Sequence, residues 1–168
     1  MLLKKIKKIP FENLGTCMRE VKKKSIISPW IEDIFKNKKN IKYSKYQNFE
    51  IHKIKLKKIG FKKATKLKHV YKMFKKLNFE LVPPELSLYL RLIYSKQPKG
   101  EWLRISVPLN SMIDSDGVPH LPKLGRALGK NFIETYWSYP DAIFHPHNDF
   151  LVIKFKSKKK KKPNETKF

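Results

Sequence analysis

The side chains best suited to catalysis cluster in the stretch YPDAIFHPHND, in the last third of the chain. Two histidines two residues apart, followed by a carboxylate, can supply half of a divalent-metal site, and such a metal would suit phosphodiester hydrolysis. Pro140 precedes the first acid and Pro146 separates the histidines, which predicts a loop. One alternative function is therefore a metal-dependent nuclease or nucleic-acid-acting toxin. Its candidate residues are Asp141, His145, His147 and Asp149.

Elsewhere the sequence lacks the local patterns of nucleophilic or phosphate-binding sites. No serine lies in a nucleophile-elbow motif, and no glycine-rich phosphate loop is present. The stretch IDSDGVPH predicts a tight Asp-Gly turn, because Lys123 stands where a calcium loop needs its glutamate. The single cysteine, Cys17, cannot form an internal disulfide or a thiolate zinc site. We therefore expect no cofactor and lean towards a protein without enzymatic activity.

Charge is distributed unevenly along the chain, whose formal net charge is +25. Residues 1–80 hold 24 Lys and Arg against 6 Asp and Glu, and residues 156–168 hold 7 against 1. Residues 81–155 are nearly neutral, with 8 against 7. Only four of the 39 basic residues are arginine, so an A/T-rich genome explains the choice of lysine. Genome bias does not explain the neutral central block, and the uneven distribution favours contact with a polyanion.

Aromatic residues lie among the lysines of KNKKNIKYSKYQNFEIHK, a pattern that suits stacking on unpaired bases. Tyr43 and Tyr46 are the candidates for stacking, whereas Phe49 is expected in the core. Lysine contacts to phosphate give affinity but do not read sequence. The lysines predicted to contact phosphates are Lys38, Lys39, Lys42, Lys45, Lys66, Lys68, Lys72, Lys75 and Lys76 and, in the tail, Lys158, Lys159, Lys160, Lys161 and Lys162.

Local signals predict two helices in the first half of the chain. In SIISPWIEDIFKN, Ser28 is a suitable N-cap and Pro29 suits the first helical position. A second helix is predicted over about residues 65–78, with Thr65 as its cap. The apolar stripe of this second helix consists of Leu67, Val70, Tyr71, Phe74 and Leu77.

Alternation of apolar and polar residues predicts strands in the second half of the chain. A turn at KQPKG joins the first two of these strands into a hairpin. Arg91 and Arg104 would then lie beside aromatic residues on the sheet face opposite the leucines, a face suited to RNA. The predicted strands are LSLYLRLIYS, EWLRISV, FIETYWSY and FLVIKF.

These elements predict an α+β fold, in which a basic helical N-terminal half packs on a small antiparallel β-sheet of about four strands. The expected division is a basic helical arm over residues 1–48, a compact domain over 49–155 with its sheet from about residue 81, and a lysine-rich tail over 156–168. We expect the tail to be disordered, because its like charges repel and nothing in it can be buried. No apolar run approaches the length of a membrane span.

The first interpretation is a non-enzymatic basic protein that binds nucleic acid, with RNA or a ribonucleoprotein favoured over DNA. No helix-turn-helix or zinc pattern supports sequence-specific reading of DNA. Besides the nuclease, a further alternative is a mobile-element inhibitor or adaptor that binds an acidic protein surface. The pattern FELVPPELSLYLRLIYSKQPKGEWLRI … DSDG … YWSYPD resembles small bacterial and mobile-element proteins, a resemblance that implies no particular activity. We expect a cytoplasmic protein, or a nuclear one if the host is eukaryotic.

Overall fold

The computed structural model describes residues 1–156 and has a mixed α/β fold. The helices are α1 (Leu14–Lys24), α2 (Pro29–Phe35), α3 (Leu67–Lys76) and α4 (Leu86–Ile93), and a 3₁₀ turn spans Leu56–Ile59. The strands are β1 (Leu2–Lys8), β2 (Ser25–Ile27), β3 (Gln47–Lys55), β4 (Thr65–Lys66), β5 (Trp102–Ile105), β6 (His120–Ala127), β7 (Lys130–Trp137), β8 (Ile143–Phe144) and β9 (Asp149–Phe155). The tail lysines Lys158–Lys162, and with them the prediction of disorder, lie outside the described residues.

Seven strands form one mixed sheet in the order β1-β3-β9-β5-β6-β7-β2, while β4 and β8 pair separately. Two pairs of adjacent strands, β5–β9 and β2–β7, are parallel, and the other adjacent pairs of the large sheet are antiparallel. The expected α+β arrangement with an antiparallel sheet of about four strands is therefore wrong. The sequence pattern underestimates the sheet because β1 and β2 come from the lysine-rich first third, where exposed lysines obscure the alternation. Strand β3 overlaps FEIHKIKLKKIGF, whose imperfect alternation does predict a strand.

The N-terminal part of the chain is built into the sheet rather than packed on it as a helical layer. Strand β1 pairs with β3 and places Ile6 opposite Phe49, and both side chains are buried. The lysines of β1 are exposed at the edge of the sheet, where charge discourages pairing with another chain. Strands β1 and β2 lie within the expected helical arm, and β3 crosses residue 48.

The leucine-rich stretch LSLYLRLIYS forms helix α4, so its prediction as a strand is wrong. The carbonyl of Pro83 accepts the N–H of Leu86 (3.0 Å), which begins the first turn. Residues 86–91 are all buried. Leu86, Tyr89, Leu90 and Ile93 follow the helical period, but apolar residues also occupy every second position, so the stretch equally imitates a strand. The preference for leucine over β-branched residues agrees with a helix.

The two helices predicted in the first half are confirmed as α2 and α3. Ser28 Oγ accepts the N–H of Trp30 (3.3 Å), and Pro29 is the first residue of α2. Helix α3 begins at Leu67, and Thr65 lies in β4 instead of capping the helix. Among residues 1–156, no helix combines the length and the apolar character needed to cross a bilayer.

Candidate nucleic-acid interface

A stretch of chain without acidic residues runs from Ile51 to Phe79 and contains eleven lysines. It includes most of β3, the 3₁₀ turn, β4 and α3. Within residues 1–156, Lys68 alone among its exposed lysines lies within salt-bridge distance of an acid. The exposed lysines are Lys57, Lys58, Lys62, Lys63, Lys68, Lys72, Lys75 and Lys76. These eight, together with the partly buried Lys66, are termed the α3 basic surface.

Helix α3 presents its lysines on one outward face because its apolar residues follow the helical period. Leu67, Val70 and Phe74 are buried. The ring of Phe74 lies against that of Phe150 in β9, with the ring centroids 5.7 Å apart. The exposed lysines on the opposite face, spaced by three or four positions, are Lys68, Lys72, Lys75 and Lys76.

Two grooves flank α3, and both are rich in lysine. The first, of about 820 Å³, has as its basic residues Lys62, Lys63, Lys66 and His69. The second, of about 580 Å³, lies between α3 and residues 79–81 and has as its basic residues Lys68, Lys72 and Lys75. Glu80 is the acid that lines the second groove. A chain of phosphates along α3 would therefore meet cations on both sides of the helix.

Asp141 lies beside the N-terminal end of α3 and compensates two lysines. Its Oδ1 atom is 3.0 Å from Lys68 Nζ and 3.4 Å from Lys66 Nζ. A hydrogen bond from Lys68, and to a smaller extent one from Lys66, lowers the pKa of this carboxyl group, so it stays ionised. The loop is fixed to the helix because the backbone N–H of Lys68 donates to the carbonyl of Pro140 (3.0 Å).

Three large aromatic side chains are exposed near the contact between Asp141 and α3. The sequence pattern does not single them out. Trp30 is 53%, Trp137 52% and Tyr139 47% exposed, and together they are termed the aromatic row. The buried ring of His120 lies between the two tryptophans, with its centroid 5.8 Å from that of Trp30 and 6.1 Å from that of Trp137. The centroids of Trp137 and Tyr139 are 6.3 Å apart.

Fixed elements hold the aromatic row in place. Trp30 belongs to the first turn of α2, and Trp137 is the last residue of β7. Beneath them, His120 Nε2 lies 2.7 Å from Asp114 Oδ2, and both side chains are buried. The Asp114 carboxylate also accepts two backbone N–H groups of the turn that follows it, each at 2.9 Å. These hydrogen bonds lower the pKa of Asp114, and the one with His120 has the largest effect.

A cavity of about 460 Å³ lies beside the aromatic row, on the side of Asp141. It is lined by Tyr136, Trp137, Tyr139, Asp141 and Ala142. Because Asp141 also contacts Lys66 and Lys68, the rings and the cations occupy adjacent parts of the surface. Ile143, two residues after Asp141, lines the neighbouring groove together with Lys66.

Tyr43 and Tyr46, the predicted stacking residues, lie in the core. Tyr43 is 1% exposed, and its hydroxyl donates to the carbonyl of Glu85 (2.7 Å). The hydroxyl of Tyr46 donates to the carboxylate of Glu85. Their rings are therefore not accessible to a base in this structure. Their polar sequence neighbours conceal this burial, because the hydroxyl groups find partners on a distant segment.

Arg91 and Arg104 do not form the predicted exposed face of a sheet. Arg91 lies in α4 and is 1% exposed, and its Nη1 atom donates to Gln97 Oε1 (2.8 Å) and to the carbonyl of Phe132 (3.0 Å). Burial lowers the pKa of Arg91 to about 10. Arg104 is partly buried in β5, donates to the carbonyl of Trp102 (3.2 Å), and has its pKa lowered by the same cause.

The four candidate metal ligands point to different partners. Asp141 pairs with Lys66 and Lys68 of the α3 basic surface, whereas Asp149 Oδ2 lies 3.2 Å from Lys55 Nζ. The rings of His145 and His147 stack on each other, with centroids 5.7 Å apart. Among the residues that the structure describes, no three His, Cys, Asp or Glu side chains are grouped so as to hold a metal ion.

The remaining predicted phosphate contacts in the described residues are exposed but dispersed. Lys38, Lys39, Lys42 and Lys45 follow α2, and Lys45 Nζ lies 3.3 Å from the carboxylate of Glu85. A further basic cavity, of about 370 Å³, lies between the end of α1 and the β6–β7 turn and was not predicted from the sequence. Its basic residues are Lys22, Lys23, Lys24, Arg126 and Lys130. The three lysines from α1 pair with Glu20 or Glu32, which reduces the free positive charge there.

Comparisons with protein-family models, curated proteins and solved structures find no match to this chain. Fold and site together describe a mixed α/β domain that presents a lysine surface next to a row of exposed aromatic rings.

Proposed function

We propose that this protein binds RNA, with the phosphates lying on the α3 basic surface. One observation carries the proposal: seven exposed lysines of this surface have no acid of residues 1–156 within salt-bridge distance. A polyanion that meets such a surface releases condensed counterions, and each neutralised phosphate increases the affinity at low salt. The exposed Lys38, Lys39, Lys42 and Lys45, and the tail lysines Lys158–Lys162, belong to the same proposal as additional phosphate contacts.

The spacing of the lysines on α3 also supports a bound polyanion. Lys72 lies four positions from both Lys68 and Lys76. Like charges at this spacing destabilise a helix by roughly 0.2–0.5 kcal/mol per pair. Phosphates along the helix would replace this repulsion with attraction. Helix α1 differs, because the lysines of its last turn pair with acidic side chains.

The composition of α3 favours phosphate contacts over the reading of DNA bases. Arginine, asparagine and glutamine, which form bidentate hydrogen bonds to base edges, are absent from α3. Lysines that meet phosphates position a nucleic acid without reading its sequence. Exposed aromatic rings beside such lysines suit unpaired RNA, whose bases can be splayed out and stacked on side chains. RNA is therefore the first ligand to test, ahead of duplex DNA.

The test is a comparison of two charge variants of the full chain. One variant replaces Lys68, Lys72, Lys75 and Lys76 of α3 with glutamine. The matched control replaces Lys4, Lys5, Lys7 and Lys8 of β1, which are also exposed, and so removes the same charge. We expect the α3 variant to bind a mixed-sequence RNA about ten- to a hundred-fold more weakly at low salt. The β1 control should lose much less affinity.

Two outcomes would contradict the proposal at different levels. Equal losses for the two variants would show that binding follows net charge alone, and α3 would not be the binding surface. No binding of RNA by the wild-type protein, even at low salt, would overturn RNA binding itself. In that case genome bias or an acidic protein partner would explain the lysines, and the mobile-element inhibitor or adaptor would become the favoured function.

A further inference from the structure

We propose that the aromatic row stacks on unpaired bases of a single-stranded RNA whose phosphates lie on the α3 basic surface. The inference rests on the proposed function and adds to it a preference for single strands over duplexes. Stacking on aromatic side chains requires bases that are not paired, because the faces of paired bases are covered by their neighbours. The residues assigned to this contact are Trp30, Trp137 and Tyr139.

Exposure and ring orientation support stacking by these residues. Each of the three residues has about half of its surface open to solvent. Neighbouring rings are inclined to each other by about 30°, with angles of 30° from Trp30 to His120, 31° from His120 to Trp137 and 27° from Trp137 to Tyr139. The rings therefore face in similar directions along the row, as the successive bases of a single strand do when they stack on side chains.

Cavities lie on both sides of Trp137. The smaller, of about 140 Å³, separates it from Trp30, and the larger, of about 460 Å³, lies beside Tyr139. The larger cavity is the expected position of a base, because aromatic rings and the side chain of Asp141 surround it. The buried pair of His120 and Asp114 keeps the floor beneath the row rigid.

Charge favours a nucleic acid over an apolar protein partner on this row. Tyr139 is followed by Pro140, whose carbonyl accepts the backbone N–H of Lys68 (3.0 Å). The end of the row and the start of the α3 lysine face are therefore adjacent. Asp141, which lines the larger cavity, pairs with Lys66 and Lys68, so its negative charge is balanced by theirs. Cations that follow a backbone, next to rings that accept bases, are the arrangement used to bind single strands.

The experiment measures the affinity of the full chain for a short oligouridine and for duplex RNA of the same length. The test variant combines Trp137→Ala with Tyr139→Ala, and the control combines Trp137→Phe with Tyr139→Phe, which retains both rings. We expect the alanine variant to bind oligouridine about ten-fold more weakly, because each base stacked on an aromatic ring contributes to the free energy of binding. Its affinity for the duplex should change little, and the phenylalanine control should retain most of the single-strand affinity.

A second measurement does not depend on the folding of a variant. Oligouridine should quench the tryptophan fluorescence of the wild-type protein, and the absence of quenching at saturation would overturn stacking. Unchanged binding of oligouridine by the alanine variant, or an equal loss for single strand and duplex, would also overturn it. The proposed function would survive either result if the α3 lysine variant still lost affinity for both RNAs. If the wild-type protein bound neither RNA, the proposed function would fail as well.

Discussion

The Oδ1 atom of Asp141 lies 3.0 Å from the Nζ atom of Lys68, at the point where the aromatic row meets the α3 basic surface. The same oxygen is 3.4 Å from Lys66 Nζ, so one carboxylate compensates two lysines. All three side chains are exposed to a large extent, and an ion pair in such a position is weak and screened by salt. Asp141 therefore competes with phosphate for the lysines nearest to the aromatic rings.

Replacement of Asp141 by asparagine should strengthen RNA binding. The change frees Lys66 and Lys68 and removes a negative charge from the wall of the 460 Å³ cavity. We expect about a three-fold gain in affinity at low salt, consistent with the weakness of an exposed ion pair, and a smaller gain at high salt. The measurement is a titration of labelled RNA with Asp141→Asn, with Glu12→Gln as a control of equal charge before α1. An equal gain in both variants would contradict a local role for Asp141.

Replacement of Arg91 by alanine should lower stability without weakening the RNA contact. The guanidinium group satisfies carbonyl and amide oxygens in the interior, and its removal leaves them without partners. We expect the free energy of unfolding to fall by about 3 kcal/mol, measured by urea denaturation. The exposed Arg19→Ala variant should change it by less than about 0.5 kcal/mol. A stable Arg91→Ala protein with weakened RNA binding would contradict the buried role.

The parts of the fold that the sequence predicts are those with a local signal. Ser28 and Pro29 predict the start of α2, and the apolar stripe from Leu67 to Phe74 predicts α3. Helix α4 is ambiguous, because Leu86, Tyr89, Leu90 and Ile93 follow the helical period while leucines also stand at every second position, as in a strand. Strand β1 is obscured for the opposite reason: it contributes few apolar residues to the core and exposes lysines at the edge of the sheet.

The candidate interface is predictable in its charge but not in its aromatic residues. The absence of acids between Ile51 and Phe79 is visible in the sequence, and α3 places many of those lysines outward. Tyr43 and Trp137 illustrate the difficulty with aromatics, since the first has polar neighbours yet is buried and the second ends a strand yet is exposed. Long-range contacts decide both outcomes. The closely spaced aromatics of TYWSYP were the available signal for an exposed row.

Replacement of Leu128 by asparagine should stabilise the protein. Leu128 and Gly129 form the two-residue turn between β6 and β7, and Leu128 has a φ of 50°, a conformation that is strained for leucine. The other non-glycine residues with positive φ among residues 1–156 are Asn48, Asn78 and Asn110. We expect Leu128→Asn to raise the free energy of unfolding by about 1 kcal/mol. Leu128→Ala removes the same exposed apolar side chain but keeps the strain, so an equal gain in both variants would contradict this explanation.

The buried hydroxyl of Tyr71 should make stability depend on pH in the alkaline range. Burial raises the pKa of Tyr71, whose hydroxyl donates to the carbonyl of Val107. Above about pH 10 the unfolded chain loses this proton while the folded protein retains it, so the contribution to stability falls as pH rises. The difference in unfolding free energy between the wild type and Tyr71→Phe should therefore shrink above about pH 10. A difference that stays constant across this range would contradict the assignment.

The salt dependence of RNA affinity tests most directly whether phosphates lie on the α3 basic surface. Binding is measured over a series of salt concentrations for the wild type, the α3 variant with four lysines replaced and the β1 control. The predicted result is a linear fall of log affinity with log salt, with a slope that is smaller by up to about 3 in the α3 variant. The β1 control should keep a slope close to that of the wild type. A slope in the α3 variant equal to that of the wild type would contradict RNA binding at this surface.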